Sequence, residues 1–156
     1  MSTQPSLTKF LLTIDPGLMT GVAVIDVSEP GKAVQVYSDE LDVVQFEDWL
    51  EDFLYAHRGE VQVVIENYII SEATAKKSAQ PWSLQLIGVT TFLCRRSQNK
   101  LLKHQPSDIG ELTSEDLRRA EFWHKSKIQA EHGRDALKHA VVYLKDKDRR
   151  WARRFL

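Results

Sequence analysis

The chain has a single cysteine, Cys94, so no disulfide can form within it. Cys94 lies in an apolar helical pattern and reads as a small core residue; a reducing cytoplasm is the expected compartment. No apolar run approaches the roughly 20 residues of a membrane span. The opening Met1-Ser2-Thr3-Gln4-Pro5-Ser6 lacks the charged-then-apolar layout of a signal peptide, and no membrane association is expected. The seven glycines are isolated, and neither an internal repeat nor a low-complexity segment occurs. Net charge is also missing: 21 basic residues nearly balance 22 acidic ones, so the chain as a whole exerts little pull on a polyanion.

What is present is an uneven distribution of that charge. Residues 26–60 are acidic, with only Lys32 and Arg58 against them. Residues 71–104 carry Lys76, Lys77, Arg95, Arg96, Lys100 and Lys103 against Glu72 alone. From Ala136 onward Lys138, Lys145, Lys147, Arg149, Arg150, Arg153 and Arg154 face Asp146 and Asp148. Each lysine alone reads as solvated surface; the two basic segments together are consistent with contact to nucleic acid. The apolar fraction of 42% supports a packed core, and 156 residues suit one domain, with a basic tail at about 146–156.

The run Leu11-Leu12-Thr13-Ile14-Asp15 alternates Phe10, Leu12 and Ile14 on one face with Leu11, Thr13 and Asp15 on the other. Both faces are largely apolar, which predicts a central strand covered on both sides. Pro16-Gly17 turns the chain into a second strand over about 21–27, and Ala33 to Tyr37 alternates as a third. Phe46, Trp49, Leu50, Phe53 and Leu54 repeat as one helix face over about 46–57. Val61 to Glu66 is a second buried strand, expected to lie parallel to the first after the helical crossover. Pro81 opens a helix with a buried stripe of Trp82, Leu86, Val89 and Leu93. Lys100 to His104 reads as a fifth strand, Ser114 to Leu117 as a helix start capped by Thr113 or Ser114, and 131–144 as the last helix. Residues 108–131 carry little signal. The whole predicts an α/β fold with a mixed five-stranded sheet in the order 3-2-1-4-5, flanked by helices.

That order would set two strand-ending acids, Asp15 and Glu66, side by side. A buried carboxylate is costly unless paired. Asp15 by itself reads either as a turn cap or as a carboxylate facing metal or phosphate. Two such acids closing two central strands is a rarer pattern. On the last helix His132, Asp135, Ala136 and His139 share a stripe; His139 reads as packed or solvated rather than catalytic.

Ile14-Asp15-Pro16-Gly17, Ile65-Glu66 and His132-x-x-Asp135-Ala136 together resemble the RuvC family of Holliday-junction resolvases within the RNase H-like nucleases, over about residues 9–145. The resemblance implies an RNase H-like fold, a bacterial or phage-encoded protein, branched DNA as partner and a homodimer. It implies that Asp15, Glu66, His132 and Asp135 are catalytic and bind two Mg²⁺ ions, with Mn²⁺ able to substitute. Hard oxygen ligands suit those ions, and a pair of them hydrolyses a phosphodiester to a 5′-phosphate and a 3′-hydroxyl. His132 would ligate metal or move a proton. Tyr68, followed by Ile69 and Ile70, matches the family's junction-contacting loop, where a Tyr either stacks on an unpaired base or packs on the helix below. Lys76, Lys77, Arg118, Arg119, Lys125 and Lys127 are candidate phosphate contacts. The aromatics Phe122, Trp123, Trp151 and Phe155 are candidates for a dimer interface, and the acids of 26–60 are expected on a far face away from DNA. The chain departs from cellular members in a shorter segment before the last helix and in its basic tail. Other readings are a flap- or fork-selective nuclease, an actin-like or sugar-kinase-type nucleotide binder, which would need Gly-rich phosphate loops, and a DNA-binding scaffold without activity.

Overall fold

The computed structural model describes residues 7–68, 82–123 and 131–156. Its strands are β1 (Phe10–Asp15), β2 (Met19–Asp26), β3 (Val34–Asp42), β4 (Val61–Glu66) and β5 (Lys100–His104). They form one sheet in the order β3-β2-β1-β4-β5, as the pattern of elements predicts. β1, β2 and β3 pair antiparallel; β4 joins β1 parallel and β5 joins β4 parallel. The described helices are α1 (Val43–Ala56), α2 (Trp82–Arg96), α3 (Ser114–Ala120), α4 (Glu131–Lys147) and α5 (Arg149–Ala152), with 3-10 turns at Pro106–Ile109 and Arg153–Phe155.

The alternation in β1 divides the core. Leu12 and Ile14 pack with Phe46, Leu50 and Leu54 of α1 and with Leu86 and Leu93 of α2. Leu11 points to the opposite face, among Leu117 of α3 and Ala136, Leu137, Ala140 and Val141 of α4. All three β1 side chains are fully buried, each stabilising the fold by roughly 1.5–3 kcal/mol. Asp15 falls on the α4 face by the same period of two.

β3 runs five residues past the expected end at Tyr37. Leu41 is buried, and the polar Ser38-Asp39-Glu40 run is tolerated because β3 is an edge strand paired only to β2. The strand passes straight into α1 through a capping box: Asp42 Oδ1 accepts from Gln45 N at 2.9 Å, and Gln45 Oε1 accepts from Asp42 N at 3.1 Å.

The basic tail is folded back onto the body. Asp148 accepts from Trp151 N at 3.0 Å and from Gly31 N, in the β2–β3 turn, at 2.7 Å. Trp151 is fully buried and stacks on Phe122, itself buried, with ring centroids 5.8 Å apart. The expectation that Phe122, Trp123, Trp151 and Phe155 are all available to a dimer interface is therefore corrected. Trp123 is exposed and Phe155 half-buried, whereas Phe122 and Trp151 close the core at the C-terminal end of α4, where an apolar ring gains more from burial than from solvent. Trp151→Ala is expected to cost about 3–5 kcal/mol. Thermal denaturation would show this as a Tm drop of roughly 6–20 °C; a shift of a degree or two would mean that the aromatic stack does not hold the tail.

Candidate active site

Parallel pairing of β1 with β4 aligns Ile14 with Ile65, so Asp15 and Glu66 leave the sheet at neighbouring strand ends. The turn after Asp15 is pinned from two sides. Ser83 Oγ of α2 donates to Pro16 O at 3.1 Å, and Thr20 Oγ1 donates to Gly17 O at 3.2 Å.

α4 is held tightly over this edge. Thr13, one position from the buried leucines of β1, donates from Oγ1 to Ala136 O at 2.6 Å. Gly21 of β2 lies directly under the first turn of α4, where a Cβ would fall 1.9 Å from His132 O and 2.6 Å from Gly133 N. Only glycine admits that approach. Glu40, across β2 from Asp15 in the ladder, accepts from Gly133 N at 2.9 Å. A carboxylate there satisfies a free helix N–H and complements the positive end of the helix dipole. Glu40 thus lies at the site, correcting the expectation that all the acids of 26–60 occupy a far face. The signal was hidden because β3 read as ending before it.

These supports bring Asp15, Glu66, His132 and Asp135 to one edge of the sheet. Asp15 is 5% exposed, and its Oδ2 lies 2.8 Å from His132 Nδ1. Burial pushes the Asp15 carboxyl above its usual range; the His132 bond pulls it down, and the charges of Glu66 and Asp135 push it further up. The bond to Asp15 raises His132 above the ordinary imidazole value against the effect of burial. Asp135 Oδ1 lies 3.3 Å from Lys138 Nζ.

Glu66 is engaged from below. Its Oε2 lies 2.7 Å from Nε2 of His139, and Nδ1 of His139 lies 3.1 Å from Nδ1 of His104. His139 is fully buried and His104 nearly so. The place of His139 on the His132–Asp135 stripe was legible in the sequence; its contact with Glu66 needed the seating of α4 over β4. Among the described residues no three His, Cys, Asp or Glu side chains converge on one point close enough to hold a cation: Asp15 faces His132 and Glu66 faces His139.

The candidate DNA contacts are dispersed. Tyr68 packs against the core beneath the α1–α2 face of the sheet. Arg118 pairs with Glu115 at 2.6 Å on α3. Arg118 and Arg119 lie with the tail beside the C-terminal half of α4, where Arg154 approaches Glu121 and Lys145 acts on Asp116. About ten helical residues, roughly 15 Å, separate that region from Asp135. Lys76, Lys77, Lys125 and Lys127, with Ile69 and Ile70, fall outside the described residues.

No family model and no curated protein sequence matches the chain. Solved structures do. Thermus thermophilus RuvC, in complex with a Holliday junction substrate, matches with a TM-score of 0.65 at 18% identity, over 92% of this chain and 94% of that one. The fowlpox virus Holliday junction resolvase matches with a TM-score of 0.62 at 12% identity, over 88% and 99% of the two chains. The yeast mitochondrial Holliday junction resolvase matches with a TM-score of 0.56 at 13% identity, over 97% and 82%. With its strand order, its helices on both faces and this likeness along nearly its whole length, the chain shares the fold of RuvC.

Proposed function

We propose that the protein is a metal-dependent, structure-selective DNA endonuclease that resolves four-way junctions by paired nicks. The observation that carries this reading is the placing of two strand-end carboxylates, Asp15 and Glu66, with Asp135 and His132 of α4 at one sheet edge, where burial and the charges of Glu66 and Asp135 push the Asp15 carboxyl up. A buried carboxylate next to two like charges is relieved by a cation. Carboxylate oxygens are the hard donors that Mg²⁺ and Mn²⁺ prefer; Asp15, Glu66 and Asp135, with His132 as a nitrogen donor, would hold such ions once His132 turns from Asp15 and the side chains close on one point. When bound, the ions would polarise the phosphate, activate a water and stabilise the leaving 3′ oxygen.

The chain's own residues do the rest. Gly21, Thr13 and Glu40 fix the first turn of α4 against β1 and β2, which sets His132 and Asp135 opposite Asp15 with little freedom to drift. His132, half-exposed and raised in proton affinity by its bond to Asp15, is placed to deliver a proton to the leaving oxygen. Cleavage that leaves a 5′-phosphate and a 3′-hydroxyl follows from this chemistry.

Resolution of a junction needs two symmetric cuts, and one chain carries one such site. A C₂ homodimer supplies the second. Leu84 and Phe92 of α2 are exposed large apolar residues. They share a helical face with Gly88, whose Cβ position meets nothing within 4 Å, and this open face suits the same face of a second copy. Labelled junction, flap, fork and plain duplex, each with Mg²⁺ or EDTA, test the function. We expect Mg²⁺-dependent cutting of the junction above the others, and paired nicks in a cruciform plasmid within one binding event. Preference for flap or fork, or release of singly nicked circles by a monomer, would favour a different nuclease of the same fold.

A further inference from the structure

We infer that His139, backed by His104, is a positioning residue for Glu66 that presents this carboxylate to the metal centre through a single oxygen. The inference rests on the reading of Glu66 as a metal ligand. Its own observation is the chain Glu66–His139–His104, which joins the C-terminal ends of β4 and β5 to the middle of α4 with spacings of 2.7 and 3.1 Å. Glu66 and His104 are ladder partners, so the two strands present both groups to the same point of α4. His139, seven residues after His132 and four after Asp135, reaches that point from the helix.

Hydrogen-bond chemistry leaves one neutral arrangement for the trio. Glu66 as a carboxylate only accepts, so His139 donates from Nε2–H. Nδ1 of His139 then carries a lone pair and accepts, so His104 donates from its Nδ1–H. Every nitrogen between the two residues is used, as expected for a ring with no exposed surface. One carboxylate oxygen of Glu66 is thereby occupied by a neutral N–H, and Oε1 is left for the site. His139 reaches neither solvent nor substrate, so its role is to orient Glu66, as outer hydrogen-bond partners orient metal ligands elsewhere. His104 sets the tautomer of His139 and completes the chain.

Isothermal titration with Mn²⁺ on the full chain tests this without cleavage. His139→Leu keeps the volume but removes the donor, and we expect a loss of about 10- to 100-fold in Mn²⁺ affinity. His139→Gln, whose amide can donate at the Nε2 position, is expected to recover most of that loss, which a purely structural role would not predict. In a Glu66→Gln background the His139→Leu change is expected to have no further effect. If Glu66→Gln itself binds Mn²⁺ like wild type, the assignment of Glu66 to the metal site fails. If Glu66→Gln loses affinity while folded His139→Leu keeps it, only the positioning role fails. Should His139→Leu not fold, ¹⁵N-histidine NMR on the wild-type protein decides. A protonated Nε2 on His139 is expected, and an unprotonated one overturns the inference.

Discussion

Asp15→Asn, Glu66→Gln and Asp135→Asn are each expected to lose junction cleavage by on the order of a thousandfold or more, while junction affinity is retained. The size follows from the several kcal/mol of transition-state stabilisation that a metal centre supplies. Retained affinity follows because an acid facing DNA attracts no phosphate; its removal takes away a metal charge and no DNA contact. Asp15→Asn also carries a stability signature of opposite sign. The folded pKa of Asp15 lies above 3.8, so the stability associated with its protonated form is present at low pH and is lost as pH rises from 3.8 through the folded value. At neutral pH the charged carboxylate is a net cost to the fold. In EDTA, Asp15→Asn should therefore melt above wild type, and on adding Mg²⁺ it should gain less, because a ligand stabilises only the state that binds it. Normal turnover in any one variant removes that residue from the centre. Equal metal response in wild type and Asp15→Asn contradicts a shared site.

The second large effect comes from a residue with no chemistry of its own. A Cβ on Gly21 would lie 1.9 Å from His132 O and 2.1 Å from His132 C, both backbone atoms that cannot rotate away. Gly21→Ala must therefore lift the first turn of α4 from β2, breaking the Glu40–Gly133 bond and moving His132 away from Asp15. Overpacking of this kind costs about 1–3 kcal/mol and at backbone contacts more. We expect a Tm lower by roughly 2–12 °C and, in protein that stays folded, a cleavage loss of about 100-fold, since misplacing a catalytic group by an ångström costs that much. Gly88→Ala provides the contrast. Its Cβ meets nothing within 4 Å, so the fold should be as stable or slightly more so. Wild-type activity and stability in Gly21→Ala would show that α4 is not seated as described.

The sheet was readable because its signals are local. Alternation in β1 and β4, the Pro16-Gly17 turn and the aromatic stripe of α1 each specify an element, and the crossover rule places β4 beside β1. Once that pairing holds, Asp15 and Glu66 follow without further information. What the sequence hid depends on contacts between distant segments. Glu40 fell outside the expected third strand because β3 turns polar where its edge is solvated. His139 read as packed or solvated because its partners, Glu66 and His104, lie 73 and 35 residues away. Trp151 sat in a run of arginines that reads as a basic tail facing nucleic acid, and its stack on Phe122, with the Asp148 bonds, shows that the run is anchored.

Crystals of the protein soaked in Mn²⁺ and measured at the manganese absorption edge test the central claim directly. The account predicts two anomalous peaks about 4 Å apart among Asp15, Glu66, Asp135 and His132, with His132 turned from Asp15 and both peaks lost in Asp15→Asn. Manganese bound elsewhere on the chain, with these four side chains unliganded, would contradict it.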